Sequence, residues 1–258
     1  MSEPTMTTPA GDAGVSRRGL LSAGIGVVAG AGIGVVVGAG AGAAITAAVQ
    51  PDPEPIPPVS ANEELMYDHG LLKRILLCYR ESSRRLGPDA PVAAVAAALL
   101  ATAVSDAAEL IRDFIEGYHE GMEEAYVFPR LVAAGRSIDI VTTLQAQHDR
   151  GRHLTATILD VTADGLGTAA ARSALRTDLD AFVRMYEPHE AWEDTVIFPS
   201  FREITPDATW RLLAERFASE QDRLFGPNTL TQMVERVSAI ESTLGIHDLA
   251  AFTPTGTP

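Results

Sequence analysis

Four stretches of this 258-residue chain carry apolar side chains at steps of three and four, and in each stretch one position of the stripe is a histidine. The stripes are Leu65, His69, Leu72, Leu76, Tyr79, then Ile111, Ile115, His119, Met122, Tyr126, then Val141, Leu144, His148, Gly151, Thr155, Ile158, and last Leu175, Leu179, Phe182, Tyr186, His189, Glu193, Val196. Such steps keep side chains on one face of an α-helix, so each stripe reads as the buried seam of an amphipathic helix. An imidazole left unpaired in a seam costs stability. One buried histidine is usually satisfied by a neighbour, but one in each of four successive seams calls for a shared partner.

The rest of the chain agrees with an all-α fold: 46% of residues are hydrophobic, only 6% are aromatic, and runs of β-branched residues are nearly absent after residue 50. Four helices are predicted, at about 60–86, 91–128, 137–161 and 168–198. Ser60-Ala61-Asn62-Glu63 opens the first as a capping box, and Pro129 and Pro199 are expected to close the second and fourth. Two more, at about 206–224 and 229–244, form a C-terminal extension, and residues 247–258 are expected to lack regular structure. In an up-down-up-down four-helix bundle over residues 60–204, the starts of helices one and three share an end with the finishes of two and four. His69, His119, His148 and His189 then all stand roughly 14 to 16 Å above that end and meet in one layer.

The second and fourth helices add a repeated segment, His119-Glu120-Gly121-Met122-Glu123 and His189-Glu190-Ala191-Trp192-Glu193, each leading into Phe-Pro. A His and a Glu four apart lie one turn apart on one face, so both reach the same metal or two adjacent ones. Cys78 is the only cysteine, which rules out a thiolate cluster and an intramolecular disulfide. Imidazole with carboxylate suits iron, with manganese second, and a pair of glutamates can bridge two ions. The ferritin-like Glu-x-x-His pattern occurs at Glu116 and His119, but Tyr186 stands where the fourth helix would need its match.

Over about residues 60–200 this arrangement resembles the hemerythrin-like, or HHE cation-binding, domain, and the two H-E-x-x-E segments before Phe128-Pro129 and Phe198-Pro199 are its most specific part. The resemblance implies a four-helix bundle holding non-haem iron, usually two ions bridged by the two glutamates and oxygen. Carried over by position, the metal ligands are His69, His119, Glu123, His148, His189 and Glu193. Oxygen-carrying members have a further His four residues after the third-helix ligand; here that residue is Arg152, and His153, five on, falls off the seam. The departure argues against reversible oxygen carriage and leaves Glu120 or Glu190 as candidates for an additional ligand.

The amino terminus adds an address. Arg17-Arg18 precedes residues 20–49, a run without a single charge, and a proline-rich spacer, residues 51–58, follows. The run resembles a twin-arginine translocation signal, with Leu20 where Phe is usual, and is also long enough to stay as a membrane anchor. The expected location is therefore extracytoplasmic, anchored or released by cleavage. The formal net charge of -14 excludes nucleic acid as a partner. Three functional classes fit: a di-iron protein binding dioxygen, nitric oxide or peroxide, a di-iron oxidoreductase or peroxide-decomposing enzyme, and an iron store or scaffold without turnover.

Overall fold

The structure, a computed structural model, describes residues 59–87 and 94–254; Arg17, Arg18, the uncharged run and residues 51–58 of the spacer lie outside the described residues. All regular elements among the described residues are helical. Helix α1 is Ala61–Arg85, and its capping box forms as expected: Glu63 N–H donates to the Ser60 hydroxyl at 3.3 Å while Ser60 N–H donates to the Glu63 carboxylate at 2.8 Å. Helix α2 is one rod over residues 94–133, α3 is Ile138–Asp164, and α4 is a second rod over residues 169–204. The C-terminal extension is α5, Asp207–Phe225, and α6, Thr229–Thr243.

Cross-helix bonds fix the directions. Asn62 near the start of α1 donates to the Phe198 carbonyl late in α4, whereas Ser83 near the end of α1 meets Asp180 early in α4. Thr155 pairs with Glu116 and His148 with Glu124, so α2 and α3 also run opposite ways. Each of the four rods packs on two neighbours, in the order α1, α2, α3, α4 and back to α1. On this bundle α5 and α6 rest against α1 and α2. Phe217 and Phe225 meet the rings of Tyr126, Phe114 and Tyr118, and the Arg74 guanidinium donates two bonds to Glu241, at 2.7 and 2.6 Å.

Two sequence expectations need correction. Pro129 and Pro199 do not end their helices; α2 continues to Ala133 and α4 to Ile204. The cause is a π-helical turn just before each proline, Glu123–Val127 and Glu193–Ile197, in which the amide of Phe128 or Phe198 bonds to the carbonyl five residues back. The extra residue in the turn widens the ladder where proline offers no donor. It also slips the seam by one position, so the side chains fully buried beyond Glu123 and Glu193 are Val127 and Ile197, while Tyr126 and Val196 are only half-buried. The tail, expected to be irregular from His247 on, contains a 3-10 turn, Leu249–Phe252, capped by Asp248. No helix among the described residues is long and apolar enough to cross a membrane.

Candidate metal centre

The seams bring the six predicted ligands together in one layer, nearer the end where α1 and α3 begin. All six, His69, His119, Glu123, His148, His189 and Glu193, are buried, and the two glutamates are 0% exposed. The imidazoles form two pairs, His69 with His119 at 4.7 Å and His148 with His189 at 5.0 Å between ring centres. Glu193 spans both: its oxygens lie 3.3 Å from His69 Nε2, 3.1 Å from His189 Nε2 and 3.9 Å from His148 Nε2. Glu123 does the same on the other diagonal, 3.6 Å from His119 Nε2 and 3.5 Å from His148 Nε2. Among the described residues three clusters of mutually close ligand atoms result: His69, His119, Glu123 and Glu193; His148, His189 and Glu193; and, behind His148, Glu120, Glu124 and His148.

The ring tautomers follow from what stands behind each imidazole. His69 Nδ1 faces Asp194 at 2.8 Å, His119 Nδ1 faces Asp68 at 3.2 Å, His148 Nδ1 faces Glu124 at 3.0 Å and His189 Nδ1 faces Gln147 at 2.9 Å. An oxygen acceptor at Nδ1 takes the ring proton and leaves the Nε2 lone pair pointing inward. Sequence reading missed these four residues, although each is the chain neighbour of a seam residue. One residue turns the helix by about 100°, which aims the side chain at the adjacent rod. The bonds therefore run around the bundle in a closed circuit: α1 supports α2, α2 supports α3, α3 supports α4 and α4 supports α1.

Such a centre is a surplus of acceptors. Apart from the Nε2 atoms around them, all four carboxylate oxygens of Glu123 and Glu193 lack a hydrogen-bond partner, as does His69 Nε2. Nitrogen and oxygen lone pairs 3.1–3.6 Å apart repel one another unless a cation or proton lies between them. Those separations match the edges of a coordination shell with bonds of about 2.1 Å, roughly 3.0 to 3.4 Å for octahedral or tetrahedral ions. The donor set thus fits a pair of borderline cations.

The protonation of the metal-free chain reflects the same crowding. Burial and the neighbouring charge of Glu193 push the Glu123 carboxyl well up, whereas Glu193, despite its burial, is held low by the imidazoles of His189 and His69. His69 is lowered by burial but raised more by its bonds to Asp194 and Glu193, to about 9. Burial and the adjacent His69 push His119 down. Glu124, although burial raises it, is brought to about 2 by its bonds to His148 and Arg152.

Of the other candidates, Glu120 joins the cluster behind His148 and Glu190 joins none. Glu120 lies on the outward, Nδ1 side of His148, accepts from the Tyr186 hydroxyl at 2.7 Å and faces Arg152 at 3.0 Å. Glu190 accepts from Lys73 at 2.6 Å. Both are buried rather than solvated. Arg152, where oxygen carriers place a histidine, turns to Glu120 and Glu124 and supplies no nitrogen ligand. His153 is exposed and bonds to the Asp149 carbonyl, and burial pushes the Cys78 thiol up to about 12, so it is inert.

Comparison with known proteins agrees with the geometry. The chain is 46% identical over 203 residues to uncharacterized proteins of Mycobacterium tuberculosis and Mycobacterium bovis, over 78% of this chain and 77% of theirs. No solved structure matches it. Residues 60–199 match the hemerythrin HHE cation-binding domain. All six clustered ligands fall inside that span, and the chain belongs to the hemerythrin HHE cation-binding family.

Proposed function

We propose that this is a non-haem dinuclear iron protein that binds or reacts with dioxygen, nitric oxide or peroxide outside the cytoplasm. The observation that carries the reading is the pair of fully buried glutamates, each within reach of imidazoles from both pairs. Two ions sharing such carboxylates supply, when bound, electron exchange with a small oxygen or nitrogen ligand. The protein's part is to orient and to exclude water. The four Nδ1 acceptors fix the imidazoles, and Phe128 and Phe198 stack on His148 and His69, each at 5.4 Å between ring centres. Arg152 in place of a nitrogen ligand leaves one donor fewer at the His148 and His189 pair, which favours ligand exchange over a saturated shell. Manganese fits the same donors and ranks second.

Full-length protein made with iron available should hold about two irons per chain. Its ferrous form should change colour on exposure to dioxygen or nitric oxide. A preparation that retains one zinc and no iron overturns the reading.

The location rests on Arg17-Arg18 ahead of the uncharged run. The Arg17→Lys, Arg18→Lys protein should stay in the cytoplasm with its metal bound, and normal export of that variant would refute a twin-arginine route. The mass of the mature chain separates release, with a new start between about residues 41 and 50, from anchoring.

A further inference from the structure

The four acceptors behind the imidazoles are not equivalent. Behind His69 and His119 stand two carboxylates, Asp194 and Asp68. Behind His189 stands the uncharged amide of Gln147. Behind His148 stands Glu124, but the Arg152 guanidinium takes the same oxygen at 2.6 Å and also faces Glu120 at 3.0 Å. One pair of ligands is thus backed by two acidic side chains, Asp194 and Asp68, the latter pushed well above the usual carboxylate range by its burial and by Glu64; the other is backed by an amide and by a carboxylate that arginine also holds. A carboxylate behind an imidazole increases its basicity as a ligand, whereas an amide does so much less.

The two pairs also differ in how a cleft meets them. A cleft of about 320 Å³ between α3 and α4 is lined by Ile140, Thr143, Gln147, His189 and Trp192, and so reaches a ligand itself, His189; a cleft of about 360 Å³ on the other side reaches Asp68, behind His119, but no ligand. Trp192 at the first cleft is 51% exposed.

We infer that Gln147 and Arg152 make the two cation positions unequal, so that the position between His69 and His119 fills first and holds its ion tightly, while the position between His148 and His189 fills second and exchanges. The inference rests on the dinuclear reading and adds an order and a cause to it. Gln147 acts here as a positioning residue, through His189.

The test is a titration of the metal-depleted full chain with Co2+, read by calorimetry and by the visible absorption of the bound ion. Two steps are expected, with dissociation constants at least about 10-fold apart. Gln147→Glu should tighten the second step by about 10-fold and leave the first in place. Asp194→Asn should weaken the first step by about 10-fold to 100-fold. Both substitutions keep side-chain size, and far-ultraviolet circular dichroism verifies the fold. Two ions bound with equal constants would overturn the inference and leave the dinuclear reading standing, as would a folded Gln147→Glu protein whose second step does not move. A single ion bound in total would overturn the dinuclear reading itself, and the inference with it.

Discussion

The two H-E-x-x-E segments have the same pattern, the same π-turn after them and the same Phe-Pro beyond, yet their glutamates meet different fates. Glu123 is pushed toward the protonated form and Glu193 toward the charged one. Glu120 is enclosed by Tyr186 and Arg152, while Glu190 is held by Lys73, which is 57% exposed. The backbone repeat sets where these groups stand. Glu193 is held low by His189 of its own segment together with His69 of α1, whereas Glu123 is pushed up by burial and by Glu193 across the bundle, a neighbour the repeat does not contain.

The largest effect should separate the two inner glutamates by metal content. Glu193 belongs to the two clusters formed by the six ligands, so Glu193→Ala should lose bound metal altogether, whereas Glu123→Ala should keep about one ion per chain at lower affinity. Metal analysis after gel filtration measures this, and equal retention by both variants would break the contrast.

Without metal the same pair should differ in stability. Glu193→Gln removes a buried charge on which His69 and His189 depend and should cost about 3 to 5 kcal/mol in denaturant unfolding. Glu123→Gln imitates an already protonated acid and should cost under about 1 kcal/mol.

The pH dependence of the metal-free chain sharpens the role of Glu193 further. His69 titrates at about 9 in the folded protein against an ordinary 6.5. The stabilisation it contributes is complete below about pH 6.5 and disappears as the pH rises through 9, a loss on the order of 3 kcal/mol. Thermal unfolding from pH 6 to 9.5 should show this decline, and Asp194→Asn should flatten it.

The smallest effects concern the outer glutamates. A methyl group on Gly151 would stand 2.0 Å from the Tyr186 hydroxyl, so Gly151→Ala must drive Tyr186 off Glu120 and should cost about 2 kcal/mol. Lys73→Ala removes only a partly solvated partner of Glu190 and should cost about 1 kcal/mol or less. Reversal of that order would mean that Glu190, not Glu120, is the more constrained group.

Sequence periodicity located the seams because a buried face repeats every turn regardless of what lies opposite. The stripe from Leu65 to Tyr79 is buried at every position, as is the one from Val141 to Ile158. Periodicity failed after Glu123 and Glu193, since a π-turn is a property of the folded ladder and carries no composition signal of its own. Asp68, Glu124, Gln147 and Asp194 were hidden for another reason: an acidic or amide residue beside a seam looks like ordinary solvated surface. Only the antiparallel geometry reveals that the residue before a histidine on α1 or α3, and the one after a glutamate on α2 or α4, turn the same way around the bundle.

That closed circuit of supports has a consequence for how the protein is made. His69 leaves the ribosome well before Asp194, which sets its tautomer and is translated 125 residues later. A nascent chain holding α1 to α3 therefore presents His69 without the acceptor that orients it, and lacks the ligands His189 and Glu193 altogether. Competence for the ion appears only when α4 closes the loop, so chains that stop before α4 should not trap metal in half-built centres.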